Sequence, residues 1–391
     1  MSKFNIGIDA RMYGPRQTGI GVYIENLISE LSELDKENHY HIFLLPEEYK
    51  KFRLPSENFS KIGVDSHWYS FKEQIIFLRK VVKEKLDLMH FTHFNFPVLY
   101  PGKFVITIHD ITPKFVPGHK MGKSWYRRKA YDLILKKGVT KSKRVIVPSE
   151  TTKKDLANYY EADKNKIQVV YEGIKNKKTA EERKEFLNNY SQNKEVALKK
   201  LKERYEMDLL RKPYIFYVGV WREHKNLVNL IRAFELLVKK HSFEGQLVLG
   251  GAASDFYSEM KKEWRSRGLS NRVITPGFLV GEKLELLYEA ADLFVLPSLY
   301  EGFGLVPLEA FNNGTVAACS DIPVLREVTQ NKAIYFDPNN PEEIARQMSD
   351  ILRNKRHQVD ILREAQGVID NYDWKKMASE IHKIYVDSLR G

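Results

Sequence analysis

Two glutamates eight residues apart, Glu301 and Glu309, bracket the stretch Glu301-Gly302-Phe303-Gly304-Leu305-Val306-Pro307-Leu308-Glu309-Ala310. The apolar run before it, Asp292-Leu293-Phe294-Val295-Leu296-Pro297-Ser298, reads as a buried parallel strand, and the stretch itself opens a short helix that stops at Gly314. Gly302 and Gly304 let a ligand approach the backbone, and Pro307 suits a first helical turn, where its missing N–H costs nothing. Free amides at a helix N-terminus favour an anion. Carboxylates accept hydrogen bonds from vicinal hydroxyls. An anion site between two carboxylates therefore suits a phosphate flanked by two diols, which is the layout of a nucleotide sugar.

A cation for that phosphate comes from a second stretch. Pro213-Tyr214-Ile215-Phe216-Tyr217-Val218-Gly219 reads as a strand ending in Val220-Trp221-Arg222-Glu223-His224-Lys225-Asn226, and the next helix buries Leu227, Leu230, Ile231, Phe234, Leu237 and Val238. Lys225 thus lies at a strand's carboxyl end beside a helix N-terminus, with Arg222 as a second positive charge. Taken alone, a lysine here more often marks a surface turn. Val105-Ile106-Thr107-Ile108-His109-Asp110 likewise ends a strand in a polar pair, where such folds line their ligand crevice. Alone, His109 would more often be structural. Near the start, Gly14-Pro15-Arg16-Gln17-Thr18-Gly19-Ile20-Gly21 reads as a glycine-bearing turn between a strand at residues 4–10 and a helix burying Ile24, Leu27, Ile28, Leu31 and Leu34. Its spacing is not that of a dinucleotide fingerprint, so Gly19 and Gly21 can simply turn the chain.

These residues need a scaffold of alternating strands and helices. Further strands read at His41–Leu45, Asp87–Phe91, Phe104–His109, Arg144–Pro148, Ile167–Tyr171, Gln246–Gly250, Val273–Pro276, Val316–Cys319 and Ala333–Phe336. That alternation implies an α/β chain with mostly parallel sheets covered on both faces. A length of 391 residues predicts two domains. The charged stretch 173–205 interrupts the pattern and reads as an exposed helical insertion or solvated linker. The expected organisation is 1–172 plus 373–391 as one domain and 206–372 as the other.

Composition excludes several classes. The single Cys319 permits no internal disulfide and no cysteine metal cluster. Phe4-Asn5-Ile6-Gly7-Ile8-Asp9 reads as a strand, not a secretory leader, and no apolar run approaches the roughly 20 residues of a membrane span. A cytoplasmic address is expected. The net charge of +12 is concentrated: residues 114–144 carry eleven Lys or Arg against Asp132 alone. A solvated face and an anionic membrane surface both fit, the latter helped by Trp125, Tyr126 and Tyr131 among the cations. No nucleic-acid module accompanies the charge, and no nucleic-acid partner is expected.

The string Pro-Ser-Leu-Tyr-Glu-Gly-Phe-Gly-Leu…Glu-Ala resembles the Glu-x7-Glu signature of the family-4 retaining glycosyltransferases, which have the GT-B fold. The Gly-Ile-Gly opening, His109-Asp110, Val-Pro-Ser-Glu at 147–150 and Lys225-Asn226 extend the resemblance along nearly the whole chain. The resemblance implies two Rossmann-like domains facing across a cleft, with the last helix crossing back to the N-terminal, acceptor-binding one. It implies an NDP-sugar donor, bound by Gly19, Gly21, Arg222, Lys225, Phe278, Glu301, Gly302, Phe303, Gly304, Leu305 and Glu309. Glu309 would take the ribose and Glu301 the transferred sugar. His109 would contact that sugar from the other domain, and Phe278 would border the base. His109, Glu301 and Lys225 are then the expected catalytic residues. One departure stands out: members often carry an Arg upstream in this loop or directly before the lysine, where this chain has Val220 and His224.

No Asp-x-Asp motif occurs, so the expectation is a metal-independent, cofactor-free transfer with retention, its leaving group held by cations and helix amides. GDP-mannose is the favoured donor and UDP-glucose the next; the acceptor is a glycan or glycolipid, reached at the inner face of a membrane. A non-hydrolysing sugar-nucleotide epimerase on the same fold, and a non-catalytic basic protein binding membrane or nucleic acid, are the competing readings.

Overall fold

Short apolar runs separated by turns can bury both faces only inside a sheet covered by helices, and this chain builds two such sheets. The computed structural model describes residues 3–14, 17–116, 124–208, 210–211, 213–251 and 257–390. The chain divides into two units, Met1–Gly173 with Tyr372–Gly391, and Ile174–Asn371.

In the first unit the strands are β1 (Asn5–Asp9), β2 (His39–Leu44), β3 (Phe59–Gly63), β4 (Leu88–Phe91), β5 (Phe104–Thr107), β6 (Arg144–Val147) and β7 (Ile167–Val169). Their order is β3-β2-β1-β4-β5-β6-β7, every pair parallel. Ile6, Ile8, Phe91, Val105, Ile106 and Val145 are fully buried in its core. The order reverses between β1 and β4, so the crevice of this sheet opens at their carboxyl ends. β3 was not anticipated, because Phe59-Ser60-Lys61-Ile62-Gly63 carries little of the apolar density that marks its neighbours.

The glycine-bearing stretch is a correction. Helix Thr18–Leu34 has already begun there, so Gly19 and Gly21 lie in its first turn and do not form a separate loop. A Cβ on Gly21 would stand 1.9 Å from the Gly14 carbonyl oxygen, which explains the glycine by close packing alone. Pro15 and Arg16 lie outside the described residues. Of the expected buried face, Ile24, Leu27, Ile28 and Leu31 are buried, but Leu34 in the last turn is 41% exposed.

The carboxyl-terminal helix Trp374–Arg390 belongs to this first unit, as GT-B resemblance implies. Tyr385 on it shares a 2.6 Å hydrogen bond with His90 of β4, and His382 reaches Asp35 at 3.0 Å. Burial would raise the Asp35 carboxyl; hydrogen bonds from His382, Tyr40, Asn38 and the Glu37 amide overcome it and hold the group well below the carboxylate range.

The second unit holds β8 (Tyr214–Val218), β9 (Gln246–Gly250), β10 (Val273–Gly277), β11 (Leu293–Leu296), β12 (Ala317–Ser320) and β13 (Ile334–Phe336), all parallel in the order β10-β9-β8-β11-β12-β13. Its reversal lies between β8 and β11. Those two strands deliver Lys225 and Glu301.

The 173–205 stretch is a second correction. It is no solvated linker: helices Ala180–Asn188 and Tyr190–Tyr205 bury Arg183, Leu187, Tyr190, Lys194, Ala197, Leu198 and Leu201 within the second unit. Thr179 and Glu182 form a reciprocal capping box that starts the first helix.

Candidate active site

In the second unit, the backbone leaves β11 through Pro297 and Ser298 and reaches Gly304, which caps helix Leu305–Asn312 at φ +96°. A side chain is disfavoured at that φ, and a Cβ would also meet Leu325 at 2.6 Å. The turn aims the first amides of the helix, Leu305 and Val306, at the carboxyl edge of the sheet, while Pro307 has no amide to satisfy.

Lys225 and Glu301, 76 positions apart, meet there. The Lys225 ammonium lies 2.6 Å from Glu301 Oε1, and the Ser298 hydroxyl donates to the same oxygen at 2.6 Å. Both side chains are mostly buried, 18% and 11% exposed. Burial alone would raise the Glu301 carboxyl; the Lys225 charge first, then His224, then hydrogen bonds from Lys225 and Ser298 bring it below its ordinary value. Glu301 is therefore an ionised acceptor held beside a cation. Asn226 fixes the loop from below: at φ +56° it donates to the carbonyls of Pro297 (3.0 Å) and Pro338 (2.7 Å).

Glu309 has a different environment. Tyr288 Oη donates to its Oε2 at 2.8 Å. Burial pushes this carboxyl above its ordinary value, the Tyr288 hydrogen bond partly offsets that, and Glu285 adds to the rise. Two carboxylates of one motif thus have pKa values moved in opposite directions, a mark of functional sites.

The remaining predicted residues divide. Gly302 and Phe303 are buried in the turn between the two glutamates. Phe278 follows β10 and is 46% exposed. Arg222 is exposed and lines a small cavity with Trp221, Val228 and Met260, on a different lining from Lys225 and Glu301.

In the first unit, His109 stands two residues beyond β5. Its Nε2 donates to the Thr92 carbonyl at 3.0 Å, its Nδ1 faces Glu172 Oε1 at 3.2 Å, and Tyr23 packs edge-on at 4.8 Å. Tyr23 comes from the helix that Gly19 and Gly21 begin, so these residues share one end of the unit. The basic stretch forms helix Trp125–Lys141. Trp125 and Tyr126 are 66% and 58% exposed, with Lys129 over the Trp125 ring. Tyr131 is a correction: it is buried against Phe94 and cannot belong to an interfacial face. Lys120 and Lys123 lie outside the described residues.

Sequence reasoning missed Ser298, Tyr288 and Glu172. Ser298 had a usable signal, three residues before Glu301 at the strand's end. Tyr288 and Glu172 had none, since each reaches its partner only through the fold.

Residues 17–178 match the model for Glycosyltransferase Family 4, and residues 201–385 that for Glycosyl transferases group 1. The chain is 26% identical over 314 residues, 80% of its length and 76% of the other's, to the O-antigen chain mannosyltransferase RfbU of Salmonella typhimurium. Further mannosyltransferase relatives are spanned over about a fifth to a half of their own length. Among solved structures, the sucrose-phosphate synthase of Thermosynechococcus elongatus superposes with a TM-score of 0.77 at 16% identity, covering 98% of this chain and 99% of that one. Anabaena Alr3699/HepE in complex with UDP-glucose gives 0.72 at 15% identity, with 98% and 100% covered.

Proposed function

From the premise that this chain is a GT-B glycosyltransferase of the family-4 type, we propose that it moves a hexose from an NDP-sugar to an acceptor hydroxyl with retention of configuration. The observation that carries the reading is the Lys225–Glu301 pair at the point where the second sheet reverses. As the bond to the anomeric carbon breaks, negative charge grows on the departing diphosphate. Lys225 and the Leu305 and Val306 amides stabilise it, in place of a divalent ion. Glu301 takes hydroxyls of the sugar and Glu309 those of the ribose. Phe278 borders the base. Front-face attack, with the donor phosphate helping to deprotonate the acceptor, needs no carboxylate nucleophile.

GDP-mannose is the proposed donor, favoured by the likeness of the Lys225-Asn226 loop to that of mannosyltransferases and by the mannosyltransferase relatives. UDP-glucose is the runner-up. The acceptor is a glycan or glycolipid. A panel of nucleotide sugars scored by thermal shift, donor hydrolysis and product analysis tests this. Stabilisation by none of them, or epimerised sugar nucleotide as the product, would overturn it.

His109 is proposed to contact the transferred sugar, which requires the ring to exchange one of its present partners. His109→Ala should lower turnover about tenfold, the worth of one such hydrogen bond, and leave nucleoside diphosphate affinity unchanged. Steady-state kinetics beside calorimetry checks this, and full turnover in the variant would discard the role.

The cationic helix, with Trp125 and Tyr126 exposed on it, is proposed to dock on an anionic membrane surface from the cytoplasmic side. Reversing Arg127, Arg128, Lys136 and Lys137 to Glu should abolish sedimentation with phosphatidylglycerol vesicles at low salt. Attraction of this kind is worth about 1 kcal/mol per basic residue. Binding indifferent to both charge reversal and salt would leave only a solvated face.

A further inference from the structure

The helices of 174–205 do more than cover the second unit. Tyr190–Tyr205 packs along helix Glu282–Ala290, which carries Tyr288, the hydrogen-bond donor to Glu309. The contact centres on a lysine. Lys194 is 3% exposed, and its ammonium donates to the carbonyl of Glu289 (3.1 Å), the carbonyl of Ala291, and the Thr315 hydroxyl (3.1 Å). Thr315 in turn donates to the carbonyl of Tyr288. A buried ammonium directed at carbonyls needs all its protons placed, because each lost hydrogen bond leaves a desolvated charge. It therefore fixes the last turn of the Glu282–Ala290 helix more tightly than apolar packing would.

The same segment grips the other end of the carboxylate's own helix. The Lys178 amide donates to Asn312 Oδ1 at 2.9 Å, and Asn312 Nδ2 returns a bond to the Asn176 carbonyl at 3.1 Å. Lys178 also pairs with Glu289 at 2.5 Å. One segment thus holds both the helix that presents the Tyr288 hydroxyl and the helix that presents Glu309.

We propose that 174–205 is a brace for the nucleotide-binding carboxylate, with Lys194 a positioning residue that acts through Thr315 and Tyr288 on Glu309. This rests on the reading of Glu309 as the ribose ligand. The brace sets where the carboxylate stands and keeps its hydrogen bond from Tyr288 short. It touches no substrate. The groups facing Glu309 are Tyr288, whose bond favours the ionised form, and Glu285, whose charge opposes it. A slackened Tyr288 bond therefore moves Glu309 further upward, and a nucleotide that needs the carboxylate is lost at higher pH.

The test measures GDP and UDP binding to the full chain by calorimetry, from about pH 5 to about pH 8, a window that spans a raised carboxyl. Lys194→Met should weaken the better-bound nucleotide about tenfold, with kcat at saturating donor changed far less. Its acid midpoint for binding should also move upward, as in Tyr288→Phe. Thr315→Val removes the hydroxyl that links the ammonium to Tyr288 while leaving the charge in place. It should shift the midpoint the same way, and it serves as the test if Lys194→Met does not fold. Suppose Tyr288→Phe and Glu309→Gln weaken binding while folded Lys194→Met and Thr315→Val bind like the wild type with the midpoint unmoved. The positioning role is then overturned and the ribose reading stands. If Glu309→Gln binds both nucleotides normally, the ribose reading falls and the brace proposal with it.

Discussion

Replacing Lys225 by Ala should reduce kcat/KM for the donor about 1000-fold, the upper range for removing one preorganised donor to a developing anion. Two effects add. The diphosphate loses the lysine that the sheet reversal brings to Glu301, and Glu301 loses its counter-charge. Burial then dominates that carboxyl and raises it. In the wild type the lowered Glu301 contributes stability above its unfolded pKa, and that contribution is lost as pH falls through the folded value. In Lys225→Ala that contribution is gone and the raised carboxyl takes up its proton at higher pH, so the acid limb of donor turnover should move upward as the rate falls. Lys225→Arg should not restore the rate: a planar guanidinium cannot share one carboxylate oxygen with Ser298 in the geometry the ammonium adopts at 2.6 Å. Donor hydrolysis followed across pH decides the matter. Near-normal turnover in Lys225→Ala would take the leaving group away from this lysine.

Both members of that pair were legible as strand-end candidates because those determinants are local, while the family resemblance raised Lys225 above a surface turn. Each residue ends an apolar run, and parallel strands in such folds present their carboxyl ends to one crevice, so two loops 76 residues apart could be placed together without knowing any register. The strands of the second sheet were legible for the same reason, their ends shifting by a residue or so where hydrogen bonding stops. What failed was whatever depended on a partner remote in sequence. Gly19 and Gly21 look like a loop until the Gly14 carbonyl is seen against the second of them, inside a helix. Residues 174–205 are highly charged, and charge reads as solvent exposure; yet Lys194 is buried because three acceptors await its ammonium, and Arg183 because Asp370 lies 2.6 Å away. Tyr131 sits among cations in sequence but turns inward on the helix to Phe94. A polar residue's burial depends on satisfaction at long range, and periodicity carries no record of it.

Glu309 shows why the missing partners matter for function as well as for fold. Its half-buried carboxyl is raised, chiefly by burial. The protonated form thus favours the folded state below the unfolded pKa, and the advantage is lost as pH rises through the folded value. At neutral pH the ionised carboxylate is therefore a cost to the fold, which the proposed ribose contact would justify. Glu309→Gln keeps an acceptor for Tyr288 and removes the charge. It should raise the stability of the chain by on the order of 1 kcal/mol, which for a domain of this size is about 2–4 °C in melting temperature. The same substitution should weaken nucleoside diphosphate binding about 100-fold, since hydrogen bonds to a charged acceptor are worth about 1.5–3 kcal/mol each and vicinal hydroxyls offer two. Calorimetry and a melting curve on one preparation give both numbers. A variant that is less stable and binds normally would mean that Glu309 serves the fold through Tyr288 and that the ribose is held elsewhere. Opposite signs in the two measurements separate a binding carboxylate from a structural one, because only a group retained for its ligand improves the empty fold when its charge is taken away.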